Sequence, residues 1–116
     1  MTRQDLIDFC LTFPGAYEDY PFDDVTLVIK HNGNKKMFAL LGETDGRPSI
    51  NLKCEPVQAD FLRQLYRDVL PGYHMNKTHW NTVIAGGDVP EDEIKRMIGH
   101  SYDLIKPKVR GKKNVQ

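Results

Sequence analysis

Apolar residues recur with the period of a helix at the start of the chain. The positions that share one helix face are Leu6, Phe9, Cys10 and Phe13. Because they are spaced i, i+3, i+4 and i+7, they predict an amphipathic helix with one buried face. Thr2 and Asp5 form an N-capping pair at the start of this helix, and Pro14-Gly15 ends the pattern.

From residue 25 to residue 54 the pattern changes to alternation, which is typical of strands. The apolar positions that share a face are Val25, Leu27 and Ile29 in a first strand and Ile50, Leu52 and Cys54 in a third. Asn32-Gly33 tolerates the positive φ angles of a tight turn, so residues 25–30 and 36–41 are predicted to form a hairpin. A second turn at residues 43–46 leads to the third strand, residues 49–53. The pattern predicts a three-stranded antiparallel meander.

Two more helices and one more strand follow. Pro56 opens a second helix, which ends by Pro71-Gly72 and carries an apolar stripe of Val57, Phe61, Leu62, Leu65 and Tyr66. Residues 80–85 are strand-like and stop at Gly86-Gly87. Pro90 opens a third helix, whose apolar face consists of Ile94, Met97, Ile98, Ser101 and Ile105.

The predicted order is therefore α-β-β-β-α-β-α, with no internal repeat. An antiparallel sheet with helices packed on one face is the natural arrangement, so we predict a compact two-layer α+β sandwich. The other sheet face or the hairpin tips are then left for function. Residues 1–106 form the predicted domain, and residues 107–116 form a basic tail that we expect to be flexible.

Length and composition agree with one modest core. The chain has 116 residues, of which 40% are hydrophobic and 28% charged, with a mean hydropathy of −0.53. These values exclude a disordered, collagenous or coiled-coil chain. No apolar run approaches a membrane span and no secretory signal is visible, so we expect a cytoplasmic monomer that does not bind membranes.

The formal net charge is zero, but the charge is unevenly distributed. Five of the sixteen bases and none of the acids follow residue 105, so residues 1–105 carry a net charge of −5. A net charge of zero argues against coating nucleic acid by charge alone. An acidic run at residues 18–24 followed by a basic segment around residues 30–36 leaves local contacts possible.

Motifs for catalysis or metal binding are missing from the sequence. Cys10 and Cys54 fall on inward positions and are expected to be reduced, buried thiols, although a catalytic Cys54 paired with a distant histidine stays open. His74 and His79 are five residues apart, which fits no common zinc spacing. No phosphate loop or nucleophile elbow is present. We expect no metal and no cofactor, and no motif indicates an enzyme.

The most unusual segment is residues 71–83, which is dense in aromatic and polar side chains. Its candidate recognition residues are Tyr73, His74, Asn76, His79, Trp80 and Asn81. One interpretation is structural, with the rings closing the core edge and the polar groups satisfying an irregular loop. The other is a recognition surface, since flat rings with neutral amides suit stacking and hydrogen bonding to bases or to a polar ligand.

At this segment the sequence resembles the MmcQ/YjbR family of small bacterial proteins. The matching pieces are Asp19-Tyr20-Pro21-Phe22, Met37-Phe38-Ala39, Leu52-Lys53-Cys54 with Pro56, the segment 71–83, and Ser101-Tyr102-Asp103-Leu104. The resemblance covers residues 1–106 and implies a frataxin-like (CyaY-like) α/β sandwich. It also implies DNA binding through a double-wing arrangement of hairpins, and it implies no catalytic residues.

Applied to this chain, the double-wing resemblance places phosphate contacts on the hairpin tips. The nucleic-acid-binding candidates are Lys30, His31, Asn32, Lys35, Lys36, Arg47 and Lys77. Double-stranded DNA is thus the leading partner of a non-enzymatic binding module. The alternatives are a small-molecule binder or enzyme with a pocket built from residues 73–80, and a protein-interaction module that uses the acidic run or an open sheet edge.

Overall fold

A computed structural model describes residues 1–73 and 75–108. In this part of the chain there are three helices and six strands. In chain order they are α1 (Arg3–Cys10), β1 (Ala16–Asp19), β2 (Val28–His31), β3 (Met37–Thr44), β4 (Arg47–Lys53), α2 (Pro56–Leu65), β5 (Val69–Pro71), β6 (Trp80–Ile84) and α3 (Glu91–Ile105). His74 and most of the predicted basic tail lie outside the described residues.

The strands form one antiparallel sheet in the order β1-β2-β3-β4-β6-β5. Helices α1 and α3 pack on β3 and β4, and α2 packs on β5 and β6. One hydrophobic core joins the three helices to a single face of the sheet, with Leu6, Ile50, Leu62 and Ile98 among its members. The predicted α+β fold is confirmed.

The start of α1 and the buried face of α3 agree with the sequence pattern, whereas α1 ends at Cys10, before the predicted stripe residue Phe13. Thr2 and Asp5 form a reciprocal capping box, in which each side chain accepts a hydrogen bond from the other residue's backbone N–H. All five residues of the predicted face of α3 are buried. Local periodicity was sufficient for both helices because each packs one continuous face against the sheet.

The sheet has two strands that the sequence pattern did not predict, β1 and β5, one at each edge. They contain four and three residues, and β5 ends in Pro71, so neither shows an alternation that could be recognised. The predicted first strand also begins too early. Val25 is exposed, because the Asp23 carboxylate accepts the backbone N–H groups of Val25 and Thr26 and holds a turn there.

The two hairpin turns differ in how well their residues predict them. At the second turn, Asp45 and Gly46 both have positive φ angles (52° and 76°), as a two-residue turn requires. At the first turn, the left-handed residue is Lys35 (φ 62°) rather than Asn32 or Gly33. This turn is longer because the Asn34 side chain donates to the carbonyl of Ile105, at 2.7 Å, and ties the turn to the end of α3.

Only part of the predicted apolar stripe of α2 is buried. Val57, Phe61 and Leu65 are 76%, 59% and 53% exposed, whereas Ala59 and Leu62 face the core. The helix therefore lies rotated relative to the orientation that its large apolar residues favour. Val57, Phe61 and Leu65 remain open to solvent.

Candidate ligand-binding cleft on the open sheet face

The sheet face opposite the helices carries a concave surface. Alternation along β3 and β4 directs Leu41 and Ile50 toward the helices, so their neighbours point to the open face. The open-face residues of the central strands are Leu40, Gly42, Thr44, Ser49, Asn51 and Thr82. Five of these six line a cleft of about 400 Å³, and Thr82 lies beside Asn51.

Two segments outside the sheet's centre form the walls of this cleft. Phe22 and Thr26, from the loop between β1 and β2, lie along one side. Tyr73 and Met75, which follow β5, lie along the other. Met37, at the start of β3, lines one end. The walls are thus mainly aromatic rings and thioether chains, which are typical of ligand sites.

The floor of the cleft contains buried polar side chains. Ser49, Asn51 and Thr82 are only 2%, 5% and 4% exposed. The Thr82 hydroxyl donates to Oδ1 of Asn51 and accepts from the backbone N–H of Tyr73, at 3.1 Å. Ser49 shares a hydrogen bond of 3.4 Å with the Thr44 hydroxyl. This network joins three strands: Thr44 of β3 bonds to Ser49 of β4, and Thr82 of β6 bonds to Asn51 of β4.

The floor retains hydrogen-bonding capacity after these contacts. The Asn51 amide nitrogen carries two N–H donors, and the carbonyl of Leu40 accepts one of them at 3.4 Å. Each oxygen in the network can also accept more than one hydrogen bond. A polar group of a ligand in the cleft can therefore bond to Asn51 or to the hydroxyl pair.

A second cavity of about 350 Å³ adjoins the first. Its lining includes Leu70, Pro71 and Thr82, and it shares Glu43, Thr44 and Tyr73 with the larger cleft. Tyr73 thus stands where the two cavities meet. Together they extend the concave surface toward the β5 edge of the sheet.

The described lining of these two cavities contains one charged residue, Glu43. Glu43 pairs with Pro48, and both alternate with open-face residues, so the strand register directs the Glu43 side chain to the helix side. The open-face side chains of the cleft are therefore uncharged. They suit a ligand whose enclosed part is neutral.

The predicted recognition segment contributes only part of this site. Tyr73 is exposed and lines both cavities, while His79 is exposed and Trp80 is half-buried in the structure. Asn76 is exposed and its carboxamide oxygen accepts the backbone N–H of Thr78, which shapes the loop. His74 lies outside the described residues.

Asn81 lies on the opposite side of the sheet from the cleft. Its Oδ1 accepts from Arg63 at 2.9 Å, and its Nδ2 donates to the carbonyl of Ala59 at 3.3 Å. Arg63 also donates to the carbonyl of Lys77 at 2.9 Å. Asn81 therefore joins α2 to β6 and is buried, so it does not belong to an exposed recognition surface.

Two of the predicted nucleic-acid contacts are held in ion pairs. Lys30 Nζ lies 2.8 Å from the Asp19 carboxylate on the neighbouring strand β1. Arg47 contacts both carboxylate oxygens of Asp68, at 3.0 and 3.4 Å. The hydrogen bonds from Lys30 and Arg47 hold the pKa values of Asp19 and Asp68, respectively, below their usual range. Contact of either cation with a phosphate would compete with its carboxylate.

The remaining cations of the β2–β3 tip are more exposed. Lys35 lies 5.5 Å from the ring centre of Tyr17 and donates to the carbonyl of Asn32, while Lys36 is exposed. His31 is half-buried, and its Nδ1 accepts the backbone N–H of Gly33. Asn32 is exposed. This tip therefore presents two exposed lysines next to a histidine that shapes the turn.

The two hairpin tips lie at opposite ends of β3. Because β3 has eight residues, Lys36 and Arg47 are separated by a strand length of about 25 Å. Lys77 precedes β6, whose first residue Trp80 pairs with Lys53, so Lys77 lies toward the Lys36 end. The predicted cations do not form one continuous tip surface, because Arg47 is separated from the others.

Both cysteines are free thiols and buried, as the sequence pattern predicts. Burial raises the pKa of the Cys10 thiol to about 12 and also raises that of Cys54. Nε2 of His100 accepts the backbone N–H of Glu55 at 3.3 Å.

In the described ranges, no group of three or more histidine, cysteine or acidic side chains is placed to hold a metal. No helix in these ranges is long and apolar enough to cross a bilayer.

Sequence reasoning missed most of the cleft. The residues it did not single out are Phe22, Met37, Ser49, Asn51, Met75 and Thr82. Ser49, Asn51 and Thr82 occupy alternate strand positions that usually face solvent, so they carry no separate signal. Asn51 and Thr82 face one another across β4 and β6, a pairing that only the structure shows.

Comparisons with known proteins place the chain in a family. The family model described as YjbR matches residues 11–104. The "Uncharacterized protein YjbR" of Escherichia coli (strain K12) is 36% identical over 102 residues, which cover 88% of this chain and 85% of that protein. The "Uncharacterized protein YyaQ" of Bacillus subtilis (strain 168) is 34% identical and covers 91% of this chain and 99% of its own.

Solved structures have the same fold. A Deinococcus radiodurans crystal structure, described with the family domain DUF419, has a TM-score of 0.83 and 34% identity, covering 97% of this chain and 86% of that one. A Pseudomonas syringae crystal structure has a TM-score of 0.80 and 31% identity, covering 91% of this chain and 100% of that one. From the matched residues and these relatives, the chain belongs to the YjbR family.

Proposed function

We propose that this protein is a binding module that holds a small molecule in the cleft on the open sheet face. The observation that supports this most directly is the row of three buried polar side chains, Ser49, Asn51 and Thr82, beneath mainly apolar walls. A concave apolar site with a few convergent polar groups is the usual form of a small-molecule site. The enclosed part of the ligand is neutral, because the open-face side chains are uncharged.

The residue types of the floor support this role. Burying an amide or hydroxyl costs free energy unless it is hydrogen-bonded. Asn51 and Thr82 meet this cost through hydrogen bonds to each other and to neighbouring backbone groups, and no buried side-chain nitrogen or oxygen of the described residues lacks a partner. Asn51 still has a second N–H that could donate to a ligand. Apolar side chains here would close the sheet face at no such cost. The support for a ligand is thus that polar side chains occupy floor positions that apolar ones could fill.

The test is a screen of small neutral ring compounds against the isotope-labelled full chain. Binding is detected by NMR, as changes in the chemical shifts of the backbone amides. We expect binders to shift the amides of Asn51, Tyr73 and Thr82 together. Asn51→Leu removes the floor donor at nearly constant volume and is expected to weaken binding about tenfold or more. Asn32→Leu is the matched control, since Asn32 is exposed outside the cleft.

The result that contradicts the proposal is equally specific. If compounds bind but shift residues away from the cleft, or if Asn51→Leu and Asn32→Leu bind equally well, the cleft is not the site. Circular dichroism of both variants separates a lost contact from a lost fold. A screen in which nothing shifts the cleft amides also overturns the proposal.

A second candidate is contact with the backbone of duplex DNA. The observation in its favour is that Lys35, Lys36 and Lys77 are exposed and lie toward the same end of the sheet, and Lys36 and Lys77 make no ion pair with a described residue. Phosphate contacts release counterions, so such binding weakens steeply with salt. Arg47 is too far away to join this group.

A salt series with fluorescent duplex DNA tests this candidate. We expect Lys35→Glu/Lys36→Glu to lower the affinity and to reduce the log–log salt slope by about two. A chain that ends at Ile105 tests the contribution of the basic tail. Binding that survives the double substitution but disappears with the tail would exclude the hairpin, and absence of binding at low salt would exclude duplex DNA.

A further inference from the structure

One end of the cleft is flanked by two lysines on the same open face. Met37, which lines this end, pairs with Lys30 of β2. On the other side, Lys53 lies two residues after Asn51 on β4, so alternation directs both side chains to the open face. Lys53 was not among the predicted sites, because the sequence pattern assigned it only an outward strand position.

The spacing of these lysines suits an anionic group. β2 and β4 lie on either side of β3, so the backbones of Lys30 and Lys53 are two strand spacings, or about 10 Å, apart across the sheet. Lys30 is paired with Asp19, whereas Lys53 makes no ion pair with a described residue. Lys53 is therefore the lysine at this end of the cleft whose charge no described carboxylate pairs with.

The body of the cleft has a different chemistry. Phe22 and Tyr73 provide rings in the walls, and Met37 and Met75 provide polarisable thioether chains. Stacking on aromatic side chains and hydrogen bonding to neutral amides are the usual contacts of a nucleobase, and Asn51 provides such an amide. The volume of about 400 Å³ lies within the range of small-molecule sites.

We propose that the ligand of this cleft is a nucleoside monophosphate, with the base over Asn51 and the phosphate at the Met37 end beside Lys53. This inference rests on the proposed small-molecule function and names the class of ligand. It follows from the position of a positive group at one end of a neutral, ring-lined cleft. Lys30 is the second phosphate contact, at the expense of its pair with Asp19.

Calorimetric titration of the full chain with matched pairs of compounds tests the inference. The probes are adenosine and adenosine monophosphate, and uridine and uridine monophosphate. We expect the better-bound monophosphate to bind roughly tenfold more tightly than its nucleoside at low salt, because a charge-assisted hydrogen bond contributes that much. The difference is expected to shrink as salt is raised.

Substitutions assign this difference to particular side chains. Lys53→Gln is expected to remove the advantage of the monophosphate over its nucleoside. Lys95→Gln is the matched control, since Lys95 is a similarly half-buried lysine on α3, in the helix layer away from the cleft. It is expected to retain the full advantage.

The outcomes separate this inference from the proposed function. Equal affinity for nucleosides and monophosphates, or an advantage that Lys53→Gln leaves intact, overturns the nucleotide assignment. If neutral ring compounds shift the Asn51 amide but neither class of nucleoside compound binds, the cleft remains a ligand site and the nucleotide assignment is wrong. If no compound shifts the cleft amides, both proposals fail.

Discussion

The Thr82 hydroxyl lies 2.5 Å from Oδ1 of Asn51, directly across the β4–β6 pair. Both side chains are buried, and the same hydroxyl accepts the backbone N–H of Tyr73. One oxygen atom thus connects the floor of the cleft to the segment that carries its exposed ring. The floor and the wall of the proposed site are therefore a single hydrogen-bonded unit.

Replacing this hydroxyl tests how much the unit stabilises the fold. Thr82→Val keeps the branched shape but leaves Asn51 Oδ1 and the Tyr73 N–H without this partner. We expect the free energy of unfolding to fall by about 1–3 kcal/mol, since a buried polar group loses its hydrogen bond. Urea denaturation at constant m-value measures the change. Thr78→Val, at an exposed loop position, is expected to change it by less than about 0.5 kcal/mol.

The Arg47–Asp68 pair predicts a pH dependence of stability. The hydrogen bond from Arg47 lowers the pKa of Asp68, so the folded state favours the ionised carboxylate more than the unfolded state does. The stabilisation is thus fully present above the unfolded-state value, near 3.8, and is lost as the pH falls through the lower folded-state value.

Denaturation of wild type and Asp68→Asn at several pH values measures this effect. At pH 7 we expect wild type to be the more stable, and we expect the difference to shrink as the pH falls below about 4. Asp24→Asn, at an exposed loop carboxylate, controls for the general loss of one negative charge. A difference between wild type and Asp68→Asn that is independent of pH would contradict this account.

The exposed stripe of α2 predicts an unusual contrast between neighbouring residues. Leu62→Ala creates a cavity in the core and is expected to cost about 2–5 kcal/mol of unfolding free energy. Phe61→Ala removes a larger side chain that is 59% exposed, and it is expected to cost less than about 1 kcal/mol. Thermal or urea unfolding of the two variants measures the contrast. Equal losses would mean that Phe61 is covered in solution.

The two thiols are predicted to be unreactive in the folded protein. Burial raises the pKa of Cys10 to about 12 and raises that of Cys54, and the thiolate is the reactive form. At pH 8 we therefore expect alkylation by iodoacetamide to proceed at the rate of global unfolding rather than at the rate of a free thiol. Thr78→Cys, which places a thiol at an exposed position, is the reactive control for mass spectrometry.

The helical elements show which parts of the fold are predictable from sequence. The capping box of Thr2 and Asp5 and the apolar face of α3 depend on contacts within a few residues, and both agree with the structure. The predicted stripe of α2 agrees only in part: Leu62 is buried, whereas Val57 and Phe61 are exposed. The orientation of this helix depends on non-local contacts, including the hydrogen bond from Arg63 to Asn81 on β6. The hydrophobic pattern of α2 alone does not predict that hydrogen bond.

The predicted site residues likewise depend on contacts that the sequence alone does not show. Tyr73 was singled out for its residue type and does line the cleft, whereas Asn81, chosen on the same grounds, is buried on the other sheet face. On β6, Asn81 and its neighbour Thr82 point to opposite faces, because successive side chains of a strand alternate. The face is known only once β6 has been paired with β4.

By itself, the sequence determined the class of this fold, its family, and the helices whose caps and apolar faces are local. The tertiary structure decided which polar side chains meet. Ser49 and Thr82 are more than thirty residues apart in the chain. They share one floor with Asn51 only because β6 lies between β4 and β5 in the sheet and pairs with β4. Strand order is set by long-range packing, so the cleft exists only in the folded sheet.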